Sequence, residues 1–134
     1  MKCFHLTVVT PDGIKYNGEA QSLTVRTVEG DVQILAGHME FFGALAVGPC
    51  RITEADGSVR VASCAGGLLT VGKEGVHLVP TTFEYAEEID LSRAKAAKER
   101  AQAALKSAKD KDQIRIAEAK LSRALNRISV SESK

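Results

Sequence analysis

The sequence predicts an α+β chain: an N-terminal antiparallel β-sandwich or barrel followed by a C-terminal antiparallel two-helix hairpin. Three observations predict it. All eleven glycines lie between Gly13 and Gly75, and the prolines are Pro11, Pro49 and Pro80, so the chain beyond Pro80 has no backbone breaker. Up to about Glu88 the residues form short β-rich runs, and after it they are alanine, lysine and arginine in helical spacing. The charge divides at a similar place. Residues 1–89 carry six Lys/Arg against eleven Asp/Glu, a net of −5, and residues 90–134 carry twelve against six, a net of +6. Such asymmetry between halves indicates two modules with different jobs.

The first module reads in order as CFHLTVV, SLTVRTV, DVQILA, ALAV, CRITEA, SVRVASC, GLLTV and GVHLV. Turn signals separate these runs: P-D-G at 11–13, N-G at 17–18, E-G at 29–30, G-P at 48–49, A-D-G at 55–57 and G-K-E-G at 72–75. Alternation is clear in the second run, with Leu23 and Val25 on one face and Thr24 and Arg26 on the other. Short strands at this spacing favour an antiparallel sandwich or barrel, and no helix-length segment separates them as a parallel α/β sheet requires. With 44% hydrophobic residues but no Trp, four Phe and two Tyr, the core must be aliphatic.

No catalytic constellation stands out in this module. Gly67 to Lys73 fits the opening of a phosphate-binding P-loop, but Glu74 replaces the Ser/Thr that would hold Mg²⁺, and no helix follows. The Gly66–Gly67 pair reads instead as a place where two backbones approach closely. His5, His38 and His77 fall in different runs at no ligand-like spacing, so no metal site is expected. Cys3, Cys50 and Cys64 are an odd count without a C-x-x-C pair, which suits reduced thiols in a cytosolic protein. Cys64, among small residues and without a His or acid partner, reads as a buried thiol and not as a nucleophile. The N-terminus lacks the character of a signal peptide, and no apolar run approaches the roughly 18 residues needed to span a bilayer.

The second module opens with EIDLSRAKAAKER at 88–100. Asp90 is a good N-cap whose charge also favours the positive end of the helix dipole. Ala94, Ala97, Ala101, Ala104 and Ala108 recur at spacings of 3 and 4, with Leu105 beside them. After a break at D-K-D (110–112), Ile114, Ala117, Leu121, Ala124/Leu125 and Ile128 repeat the spacing. Two helices with one apolar seam each and a short connection predict an antiparallel hairpin. An alanine seam buries little area, so the helices form readily but hold each other weakly, and the hairpin can act as a two-state element. With the turn near residue 111, Arg100 lies beside Ser122 and Arg123, and Arg93 lies one turn beyond Arg127. Four guanidiniums then converge near the open end, where a polyanion would turn repulsion into clamping, and Ile89 and Ala94 offer an apolar wall for a base. The plainer reading is a solvated basic face. Nucleic-acid binding by the basic half is weakened by the absence of any aromatic in residues 90–134.

Five segments carry a resemblance over essentially the whole length: FHLTVVTPDGIKYNG, EGDVQILAGH, AGGLLTV, IDLSRAKAAKERA and LSRALNRISV. In this order the chain resembles the epsilon subunit of the F-type (rotary) ATP synthase. The resemblance implies a β-sandwich head over 1–86 and a regulatory helical hairpin over 87–134. It further implies a non-catalytic rotor subunit at the cytoplasmic face of the bacterial membrane, joined to the membrane only through the complex. The expected partners are the gamma subunit, the c-ring and, with the helices extended, the alpha/beta catalytic ring, where the helices inhibit ATP hydrolysis; no nucleic acid is expected. Bacterial members with the motif I/L-D-x-x-R-A bind ATP as a regulatory ligand in the folded state. That motif is Ile89, Asp90, Arg93 and Ala94 here, and the accompanying family positions match Glu84, Arg100, Arg123 and Arg127. One departure is Gln33 and Ala36 in a loop that in the family reads close to G-E-L-G-I-L-P-G-H. The alternative expectation is an interaction module whose hairpin packs against partners without binding nucleotide.

Overall fold

The computed structural model describes residues 2–133. Seven strands come first: β1 (Phe4–Thr10), β2 (Gly13–Thr27), β3 (Gly30–Leu35), β4 (Phe41–Ala44), β5 (Gly48–Glu54), β6 (Val59–Gly72) and β7 (Gly75–Tyr85). A 3₁₀ turn at Ala86–Glu88 leads into two helices, α1 (Leu91–Ser107) and α2 (Lys111–Glu132). The hydrogen-bonded order is β1-β7-β6-β5-β2-β3, with β4 on β6 and β1 also paired to β2, so the sheet closes on itself.

Two long strands turn that closed sheet into a sandwich. β2 pairs with β1 along its first half and with β3 along its second, while β5 lies on its other side. β6 likewise changes partner from β5 to β4 along its length. Each long strand therefore passes from one layer to the other. In β6 the corner is Gly66–Gly67, both with positive φ (67° and 95°). A Cβ on Gly67 would run into the Val79 carbonyl oxygen and stand 2.6 Å from Pro80 Cα, so no other residue type fits there. This is the close backbone approach expected of the pair, and it dismisses the P-loop pattern on physical grounds.

Between the layers lies an aliphatic core. Leu6, Val8, Leu23, Val25, Ile34, Ile52, Leu69 and Leu78 are buried, and Phe83 and Tyr85 are its buried aromatic residues, packed edge to face at 5.0 Å. Tyr85 reaches through to donate its hydroxyl to the Lys15 carbonyl oxygen at 2.7 Å, tying β7 to the start of β2.

Several local expectations shift. Asn17–Gly18 is no turn: it lies within β2, opposite Thr7 and Leu6. The chain has already reversed at P-D-G, where Gly13 takes φ 123°, so a second reversal would cost β2 its pairing with β1. SVRVASC and GLLTV are one strand, because the two glycines bend β6 without breaking its ladder to β7. ALAV is displaced: β4 is Phe41–Ala44, and Leu45 lies beyond it, in an isolated bridge to Thr27 and with its amide donating to the Gly67 carbonyl oxygen at 2.9 Å. One pair, β1 with β7, is parallel. Its crossover is the rest of the head, which satisfies the long connection such a pair demands.

The hairpin forms where expected. Asp90 Oδ1 accepts from the Arg93 amide at 3.1 Å, and Asp110 Oδ1 caps α2 from the Gln113 amide at 2.8 Å. Within the seam, Ala94, Ala101, Ala117 and Ala124 are buried, while Ala104 is exposed. Two alanines per helix, seven residues apart, let the helices approach closely but bury little surface. The hairpin lies against the outer face of one layer. Ile89, Ala86, Ala94 and Val130 form a small core between them, next to Val61 and Ile128.

Candidate functional site

Between the head and the hairpin lies a cleft of about 940 Å³. Its volume falls within the range of small-molecule and cofactor sites. The head contributes residues of β6 and β7 (Ser63, Ala65, Thr81, Thr82, Phe83, Glu84), together with Asp12 and Lys15 from the β1–β2 reversal. The hairpin contributes Ala97, Arg100, Ala101 and Ala104 from α1, and Lys120, Arg123, Ala124 and Arg127 from α2. Small residues on the helices and threonines on the strands leave the space; long cations line it.

Those cations are not alike. Arg127 is half-buried and engaged by Glu84 through two bonds, Nε to Oε1 at 2.8 Å and Nη2 to Oε2 at 3.3 Å. This forked pair joins α2 to β7 and fixes the guanidinium plane. Beside it Asn126 donates to the Gly48 carbonyl oxygen at 3.0 Å and to Ser63 Oγ at 2.9 Å. Arg100, Arg123, Lys15 and Lys120 make no ion pair among the described residues. The lining acids are Asp12, Glu84 and Glu88, of which Glu84 is taken by Arg127 and Glu88 accepts from the Tyr85 amide at 3.0 Å. The cleft therefore holds a surplus of positive charge with free donors.

The sequence-predicted site residues separate into two groups. Glu84, Arg100, Arg123 and Arg127 meet in the cleft. Ile89, Asp90, Arg93 and Ala94 do not line it. Ile89 and Ala94 are buried in the small core beneath the hairpin, so neither presents the apolar wall expected of them. Asp90 is the cap of α1, and Arg93 is exposed one turn before Ala97, on the same helical stripe as Arg100. The convergence of four guanidiniums thus reduces to three, one of them paired with Glu84.

Sequence reasoning missed Lys15, Lys120 and Asn126. The only signal for Asn126 is that it stands four residues before Val130, on the face of α2 that meets the head. Elsewhere in the head, burial pushes the Cys64 thiol up to about 12 and raises Cys50 well above its ordinary value, so neither of these two buried thiols is reactive. Among the described residues no group of His, Cys, Asp and Glu is arranged to hold a metal ion, and no helix is long and apolar enough to cross a membrane.

A sandwich head carrying a docked two-helix hairpin is a known pairing of domains. The model of the ATP synthase delta/epsilon chain β-sandwich domain matches residues 3–86, and that of the delta/epsilon chain long α-helix domain matches residues 87–132. The chain belongs to the epsilon-chain family of the F-type ATP synthases. It is 39% identical to the ATP synthase epsilon chain of Bacillus velezensis, over 98% of each chain. It is 37% identical to that of Caldanaerobacter subterraneus, over 97% of this chain and 94% of the relative. Among solved structures it resembles a chain in the Euglena gracilis mitochondrial ATP synthase, OSCP/F1/c-ring assembly. The TM-score is 0.80 and the identity 27%, covering 90% of this chain and 76% of that one.

Proposed function

We propose that this chain is a non-catalytic rotor subunit that couples proton flow to ATP synthesis and restrains ATP hydrolysis through an ATP-responsive hairpin. One observation carries the regulatory part: Arg100 and Arg123 face, without protein counter-ions, a cleft walled on one side by the head and on the other by the hairpin. The triphosphate of ATP takes these guanidiniums as paired hydrogen-bond donors, and Arg127 joins them from its pair with Glu84. Arg93, one turn further along the stripe, reaches the ligand from the mouth, and Asp90 keeps an oxygen free of the cap to accept from sugar or base.

Because the cleft exists only while the hairpin is docked, ATP binds that state and not the extended one. A ligand at a hundred times its Kd then favours docking by about 2.7 kcal/mol. Loss of ATP returns that energy and frees the helices to extend toward the alpha/beta ring, where their net positive charge meets acidic surfaces. The weak alanine seam suits a hairpin that must open.

A different surface supports the static partners. Ala44, Leu68 and Val79 pair in register across β4, β6 and β7, and Val9 pairs with Ile14 across β1 and β2. Val8 pairs with Leu78, which sets Val9 beside Val79. The result is an exposed apolar row across five strands that the hairpin leaves uncovered. We assign it to the gamma subunit, and the exposed Leu35, Met39 and Phe42 around the β3–β4 loop to the c-ring.

The test is a calorimetric titration of the isolated chain with ATP and with ADP, repeated with Arg100→Ala plus Arg123→Ala. Saturable binding of ATP that the double substitution abolishes is the expected result. No heat up to about millimolar ATP, a Kd limit near −4 kcal/mol, leaves a subunit whose hairpin packs without nucleotide.

A further inference from the structure

The β1–β2 ladder contains one irregularity. Val8 pairs with Tyr16 and Val9 pairs with Ile14, so Lys15 is the extra residue of a β-bulge. Bulges re-aim a side chain that regular alternation would send elsewhere, and they gather near functional sites. Lys15 is half-buried, which is uncommon for a lysine without a partner. It makes no ion pair, although Asp12 lines the same cleft. Its carbonyl oxygen is anchored by the buried Tyr85 hydroxyl at 2.7 Å, so the backbone at the bulge is held from the core. Its residue lines the cleft opposite Arg100 and Arg123.

We infer that Lys15 is a phosphate-binding residue of the cleft, supplied by the head, and that the bulge exists to aim it there. The inference rests on the nucleotide reading above and adds a second wall to it. Arginines on the hairpin hold a polyphosphate from one wall of the cleft. A cation on the head makes the ligand a bridge, held from both sides only when the two modules are together. Lys15 thereby contributes to the difference in affinity between the docked and extended states, which is the quantity that sets how far ATP shifts the population. The lysine is suited to this position because three rotatable donors on a flexible stem follow a phosphate as the hairpin settles.

The experiment titrates the full chain with ATP and with inorganic tripolyphosphate, comparing wild type, Lys15→Gln, Lys15→Arg and Arg123→Ala. Thermal unfolding of each ligand-free variant is recorded alongside. The expected result is that Lys15→Gln weakens both ligands about tenfold with unchanged ligand-free unfolding, and that Lys15→Arg recovers most of the loss. Wild-type affinity in Lys15→Gln, with Arg123→Ala deficient, overturns the role of Lys15 and leaves the nucleotide reading standing. A wild-type chain that takes up neither ligand overturns both. A Lys15→Gln loss that Lys15→Arg fails to recover, with lowered ligand-free unfolding in both, assigns the residue to the bulge's structure and overturns its role as a ligand.

Discussion

Three hydroxyl and thiol groups of the head resist ionisation because the core around them cannot hydrate a charge. Burial carries Cys64 to about 12 and raises Cys50 well above its ordinary value. Burial likewise carries Tyr85 to about 12, against the opposing pull of Arg60, whose guanidinium sits 3.6 Å over its ring. The unfolded chain releases these protons first, with thiols losing theirs from near 9. Stability from the buried neutral forms is therefore complete below that pH and falls as pH rises toward 12. Urea unfolding at about pH 8 and about pH 10.5 should show a lower midpoint at the higher pH. In Cys64→Ala the cavity costs the same at both, so the drop between them should be smaller than in wild type. An equal drop would assign the alkaline loss to other groups. At neutral pH the same burial makes Cys50 and Cys64 inert.

At the scale of the elements, the question is what holds α2 against the head. The apolar contribution is small: Ile89, Ala86, Ala94 and Val130. The polar contribution is Asn126 on Gly48 and Ser63, and Arg127 on Glu84. A half-buried forked pair outperforms an exposed one, yet its net worth is limited by the cost of drying both ions. Asn126 is the cleaner test because its loss leaves the Gly48 carbonyl without that donor. Asn126→Leu should weaken docking by about 1–3 kcal/mol. Amide exchange in α2 should then speed up by one to two orders of magnitude, with the strands of the head unaffected. Unchanged exchange in α2 would mean that Val130 and its neighbours suffice.

For the whole molecule, the sandwich presents two outer faces with different chemistry. One is covered by the hairpin and encloses the cationic cleft; the other carries the uncovered row of Leu68, Val79, Val9 and Ile14. Such a row on a single chain marks a surface that a partner dries. Leu68→Glu plus Val79→Glu should leave the isolated head folded, because both side chains already face water. The same variant should fail to co-purify with the gamma subunit in a reconstituted complex. Retention at wild-type level would move the gamma contact elsewhere.

The order of modules, the turn at P-D-G, the Asp90 cap and the aliphatic core were legible in the sequence, because each follows from local preference or from a period of two or 3.6. So was the meeting of Arg100, Arg123 and Arg127 at the cleft, because they lie on helix stripes whose facing partners a short connection dictates. What tertiary structure alone decided is how those side chains are spent. Ile89 and Ala94 became packing, because Val130 comes back from the far end of α2 to meet them. Arg127 gained Glu84 from a strand 43 residues away. Lys15 became the extra residue of a bulge through a register shift against β1, and neither its own residue type nor its neighbours encode that shift. Period and propensity are properties of a segment, whereas a counter-ion, a cleft and a bulge are properties of two segments meeting.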